Sequence, residues 1–142
     1  MLLPANETDY AAIMDVWELS VRATHHFLPE DYLQHIKTRI PSFFPQVQLY
    51  VERDEEGQLT GFLGVADTKI EMLFIHPHCR GKGIGRRLTQ FAIQQLKARE
   101  VDVNEQNEQA VGFYKRMGFA EAGRSETDGL GKPFPLLQMK LA

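Results

Sequence analysis

Arg80-Gly81-Lys82-Gly83-Ile84-Gly85-Arg86, preceded by Ile70-Glu71-Met72-Leu73-Phe74-Ile75, reads as a strand running into a glycine-rich turn. A helical pattern leaves the turn, with Leu88, Phe91, Ala92, Ile93 and Leu96 at helical spacings. Glycines at 81, 83 and 85 let successive backbone N–H groups converge without Cβ atoms in the way. The helix that starts there adds unpaired N–H groups and the positive end of its dipole. Arg80, Lys82 and Arg86 supply positive charge, so the segment suits a pyrophosphate. The plain alternative is a tightly packed turn. Two better-known phosphate loops are excluded. No Ser or Thr follows Lys82 as a Walker loop requires, and the third glycine comes one residue early for a dinucleotide fingerprint.

Working outward, residues 101–119 read Val-Asp-Val-Asn-Glu-Gln-Asn-Glu-Gln-Ala-Val-Gly-Phe-Tyr-Lys-Arg-Met-Gly-Phe. With Arg-x-x-Gly-x-Gly at 80–85, this resembles the GNAT superfamily of acetyl-CoA-dependent N-acetyltransferases. In that family an Arg or Gln opens the glycine loop after an apolar strand. An Asn–Ala–Phe/Leu-Tyr helix closing on Gly-Phe follows some way downstream. Asn107, Ala110, Phe113, Tyr114, Gly118 and Phe119 occupy those positions. Small bacterial members share the Asn-Glu-Gln-Asn-Glu-Gln-Ala run and a Leu-Gly-Lys-Pro tail like that at 130–133. The likeness covers most of the chain and is weakest in residues 1–50.

Composition agrees with this class. A chain of 142 residues is read as one domain, residues 1–142. Hydrophobic residues at 43% and charged at 25% point to a globular protein rather than a disordered one. No apolar run approaches the roughly 20 residues of a membrane span. No signal peptide is visible, and the single Cys79 fits a reducing compartment, so a cytoplasmic location is expected. A net charge of −3 argues against a general nucleic-acid surface.

The patterning predicts a mixed α/β architecture with a largely antiparallel sheet and about four helices. Leu2-Leu3-Pro4 reads as a first strand. A helix capped by Asn6 or Thr8 extends to about Val21, and a second spans about 29–40. Pro41 and Pro45 bracket a loop. Residues 47–51, 59–65 and 70–75 form a meander with a turn at Asp54–Gly57. A helix over 83–99, a strand at 101–104, a helix over 107–117 and strands near 119–126 and 135–141 complete the order.

The resemblance implies that the strands at 70–75 and 101–104 splay apart and that the cofactor arm lies between them. It assigns backbone contacts to Leu73, Phe74 and Ile75, and a pyrophosphate cradle to Arg80, Gly81, Lys82, Gly83, Ile84, Gly85 and Arg86. Asn107 would bind the arm with its side chain; as a residue it is equally a helix N-cap. Tyr114 would protonate the departing thiolate. A thiol near ~8.5 and a phenol near ~10 make that transfer modest. Its alternative is a core aromatic. A lysine-like amine near ~10.4 must lose a proton before attack. Asp102, or Glu71, read as alternating in register with Leu73 and Ile75, could take it through water. Either could equally be a structural carboxylate.

His25, His26, Phe27, Phe43 and Phe44 fall where the family shapes its acceptor site, and Ser125 to Pro135, with Asp128, Gly131 and Lys132, could form the opposite wall. His76-Pro77-His78-Cys79 lacks matching ligands elsewhere, so no metal is expected. The reading is direct transfer of an acetyl group to an amine, small-molecule or protein, with a homodimer as an expectation from the family. The alternative is an acetyl-CoA or CoA sensor without turnover.

Overall fold

Caps and alternation account for the order of elements in the computed structural model, which describes residues 2–142. After β1 (Leu2–Pro4), Asn6 and Asp9 form a reciprocal capping box ahead of a short 3-10 turn and α1 (Tyr10–Thr24). Ile13, Val16, Trp17, Ser20 and Val21 form its buried face, and the helix runs three residues past Val21. The second helix, α2 (Glu30–Arg39), starts after extended Pro29 with Glu30 and Asp31 at its dipole-positive end. Residues Ile40–Gln46 are a 3-10 helix rather than the expected loop. Pro41 needs no N–H partner in that first turn. Phe44, 1% exposed, packs on the Tyr10 ring at 4.7 Å and anchors the segment to the core.

The meander forms as β2 (Gln48–Arg53), β3 (Leu59–Ala66) and β4 (Lys69–Ile75), each antiparallel to the one before. Asp54 Oδ1 accepts from the N–H groups of Glu56 and Gln58, and Gly57 sits at φ +82°, which sets the first turn. Then follow α3 (Ile84–Gln95), β5 (Glu100–Asn104), α4 (Glu108–Arg116), β6 (Phe119–Ser125) and β7 (Leu136–Leu141). The helix predicted over 83–99 stops at Gln95. Lys97 turns left-handed at φ +62°, and the Ala98 N–H folds back on the Ala92 carbonyl.

The seven strands lie in the order β1-β2-β3-β4-β5-β7-β6, so β4 and β5 are the parallel pair at the centre. One face of the sheet carries α3 and α4 over a core that includes Leu63, Leu88, Val101, Tyr114 and Met139. The other carries α1 and α2 over Ile13, Trp17, Phe44, Phe62 and Met72. Among the described residues no helix is long and apolar enough to cross a membrane.

Candidate active site

The site begins where the central strands part. β4 and β5 pair at two positions, Lys69↔Glu100 and Ile70↔Val101. Beyond these β5 keeps only its β7 partner, leaving the β5-facing edge of β4 open from Met72 onward. A bulge lies at the same level. Gly64 faces Met72 and Val65 faces Ile70, so Glu71 is the extra residue. This corrects the register expected from simple alternation. Glu71 does not share a face with Leu73 and Ile75. It joins Met72 and Phe74 on the α1–α2 side, while Leu73 and Ile75 pack toward α3 and α4.

Backbone direction follows from one bond. The His76 N–H donates to the Thr60 carbonyl at 2.8 Å. Antiparallel ladders alternate hydrogen-bonded and non-bonded pairs, so Phe74 is the next residue turned toward β3. Leu73 and Ile75 therefore direct their N–H and C=O groups into the gap. Phe74, expected with them, faces β3 along its backbone and the α1–α2 side with its ring. The end of β4 lies very close to β3, since a Cβ on Gly61 would stand 2.9 Å from Ile75 Cδ1 and 3.1 Å from the Phe74 carbonyl.

A 3-10 turn, Pro77–Cys79, leads from β4 into the glycine loop, with His76 Nδ1 accepting from the His78 N–H at 3.1 Å. Gly81 and Gly83 adopt φ +77° and +79°, where an L side chain is strained. Gly85 has a different role. It lies in the first turn of α3 with the Phe113 ring 3.6 Å from where its Cβ would be, so α3 sits tightly against α4. From Gly81 to Arg86 no main-chain N–H finds an acceptor among the described residues, and Gly83 caps α3 without a side chain. The result is a run of donors at the positive end of a helix dipole. Lys82 and Arg86 are exposed beside it and Arg80 is half-buried. Arg87 braces the loop, donating to the Lys82 carbonyl at 3.2 Å and to Glu52 at 3.3 Å.

Asn107 caps α4 by accepting from the Ala110 N–H at 3.2 Å, and its amide NH₂ has no partner among the described residues. Tyr114 lies two turns further, its ring packed edge-on against Phe113 and Phe119. Burial pushes its phenol well above the ordinary value. The hydroxyl has no hydrogen-bond partner among the described residues, yet no buried side-chain oxygen is left unsatisfied. The ring is core and the hydroxyl reaches solvent.

On the α1–α2 face a cavity of about 660 Å³ opens against β4 and β5. Trp17, Val21, Phe43, Met72 and Phe74 give it apolar walls, and Glu71, Asp102 and Asp128 give it carboxylates. Asp102 is held by Lys69 Nζ at 2.5 Å. Asp128 closes the far wall. Its carboxylate accepts the Tyr32 hydroxyl and the N–H groups of Leu130 and Lys132, and Phe134 stacks on Tyr32 at 5.3 Å. His25 lines the cavity with a set tautomer. Thr24 Oγ1 gives its proton to the Ser20 carbonyl at 2.8 Å, so it accepts from His25 Nδ1 at 2.7 Å and Nε2 keeps its lone pair. Burial, with Arg80 and His26 nearby, pushes this imidazole down to about 4. Asp128 and His25 were legible as wall candidates. Tyr32 and Lys69 were not, because each acts through a partner distant in sequence.

A sheet split at its central parallel pair, with an amide cradle at the open end, defines the acetyltransferase (GNAT) fold. The chain matches that domain family over residues 16–141 and belongs to it, as an acetyl-CoA-dependent N-acetyltransferase. It is 44% identical over 127 residues to the peptidyl-lysine N-acetyltransferase YjaB of Escherichia coli K12, covering 89% of this chain and 86% of that one. The Salmonella typhimurium protein of the same name is 42% identical, over 89% and 88% of the two chains. The solution structure of apo YjaB from Escherichia coli superimposes with a TM-score of 0.90 at 40% identity, covering 100% and 97% of the two chains.

Proposed function

We propose that this enzyme acetylates a primary amine carried on an apolar arm, a protein lysine side chain, with acetyl-CoA bound in the gap between β4 and β5. The observation that carries the reading is the coincidence of two unpaired donor sets. One is the edge of β4 at Leu73 and Ile75, the other the N–H run from Gly81 to Arg86. An amide-rich arm can satisfy the first and a pyrophosphate the second. Arg80, Lys82 and Arg86 balance the phosphate charge, and the Asn107 amide donates to the arm. The N–H of Leu73 or Ile75 polarises the thioester carbonyl, a fixed donor in a site sheltered from water. Tyr114 gives its hydroxyl proton to the leaving thiolate.

The acceptor enters from the opposite face. Alkyl carbons lie along Trp17, Phe43 and Phe74, and the ammonium meets Glu71. Glu71 is exposed and free of ion pairing among the described residues, so it takes the amine proton through water. Asp102, engaged by Lys69, does so only when Lys69 releases it. Support for lysine comes from the named activity of the YjaB relatives and from these apolar walls ending in a carboxylate.

Isothermal titration with acetyl-CoA and CoA tests the donor site. Wild type is expected to bind both, and an Arg80→Ala, Gly83→Ala double variant to lose that binding. Absence of wild-type binding would overturn the assignment. A lysine-peptide panel, read by CoA release, tests the acceptor.

A further inference from the structure

Lys69 places a primary amine of the chain itself inside the acceptor cavity, whose lining holds no other lysine. It belongs to the last two β4–β5 pairs, and Asp102 is the first β5 residue beyond them. Its Nζ, bonded to Asp102, therefore stands where the strands begin to part, with one third of the side chain exposed. That puts a primary amine at the closed end of the gap, beside a carboxylate able to take its proton.

We propose that Lys69 is a self-acetylation site, a reading that rests on acetyl-CoA occupying the gap as argued above. Asp102 takes one proton from the Lys69 ammonium. The neutral Nζ forms a bond to the thioester carbonyl carbon as the carbon–sulfur bond breaks. Tyr114 gives its hydroxyl proton to the thiolate and regains one from the nitrogen's surplus, giving CoA thiol and N-acetyl-Lys69, and the proton on Asp102 passes to water. The amide can no longer pair as a cation, so Asp102 is left facing the cavity.

The pH dependence has a definite sign. Burial alone would lower the Lys69 amine, but the Asp102 hydrogen bond and the charges of Asp102, Glu71 and Glu100 raise it. Arg39, His25 and Asp128 face the same cavity from α2, the end of α1 and the β6–β7 loop. The amine is protonated at neutral pH, so self-acetylation quickens as pH rises.

The test is peptide-resolved mass spectrometry of the whole protein incubated with acetyl-CoA at pH 7 and pH 9, alongside titration calorimetry. Lys69 is expected to gain an acetyl group at least about tenfold faster than exposed Lys97 and Lys132, because its amine is held beside the donor. Excess CoA should suppress the modification, and dilution of the protein should not slow it. Lys69→Arg should show no acetyl group at position 69, with a thermal melt reporting whether its fold is intact. Bound acetyl-CoA with Lys69 modified no faster than Lys97 would overturn this proposal and leave the donor site standing. No binding at all would overturn both.

Discussion

Tyr114 is a core aromatic to which the proposed mechanism adds a chemical role. Its ring fills the core between Phe113 and Phe119, and its hydroxyl has no hydrogen-bond partner among the described residues. Burial raises the phenol, so it remains protonated across the working pH range and available as a donor. Tyr114→Phe should lower kcat by about a hundredfold or more while leaving the acetyl-CoA Kd nearly unchanged, as loss of a general acid does. Stopped-flow thiol release and calorimetry check the two halves of that statement. His25 gives a stability prediction. Its folded value, about 4, lies below the ordinary 6.5, so the unfolded chain binds the extra proton first. Its contribution is present above about pH 6.5 and is lost as pH falls toward 4. The denaturation midpoint of His25→Gln should therefore fall less steeply than that of wild type over this window.

At the scale of elements, the bulge at Glu71 and the close approach of β3 to β4 shape the site. One extra residue puts Glu71, Met72 and Phe74 on the α1–α2 face and turns Leu73 and Ile75 backbone groups into the gap. Gly61 lets the end of β4 lie against β3. Gly61→Ala would press a methyl on the Ile75 side chain and the Phe74 carbonyl. It should destabilise the protein by about 1–3 kcal/mol, as overpacking does, and weaken acetyl-CoA binding by displacing Ile75. Urea unfolding and calorimetry read the two effects.

Across the whole molecule, the open edge of β4 and the cavity on the α1–α2 face adjoin at the split in the sheet, where the proposed reaction brings donor and acceptor together. The acceptor side is closed by contacts between parts distant in sequence: Tyr32 of α2 holds Asp128 of the β6–β7 loop, and Phe27 and Tyr32 flank Phe134. Tyr32→Phe removes the hydroxyl but retains the ring. The acceptor KM should rise up to about tenfold, the scale of one hydrogen bond, with the acetyl-CoA Kd unchanged. Initial-rate kinetics with a lysine peptide check it.

The local features were legible because they are short-range. Glycine spacing, apolar alternation and the Asn107–Tyr114 helix each depend on neighbours a few residues away, and together they determined the element order and the family. The length of α3 was overread because Lys97 takes a left-handed turn without being a glycine. Three things required the tertiary structure. The face on which Glu71 lies was decided by a bulge seen only against β3. The engagement of Asp102 was decided by Lys69, thirty-three residues away. The closed wall of the cavity on the α1–α2 face was decided by the Tyr32–Asp128 bond across ninety-six residues. Periodicity assigns a side chain to a face of its own element. Which carboxylate stays free for chemistry depends on the element packed opposite, and that is a property of the assembled sheet.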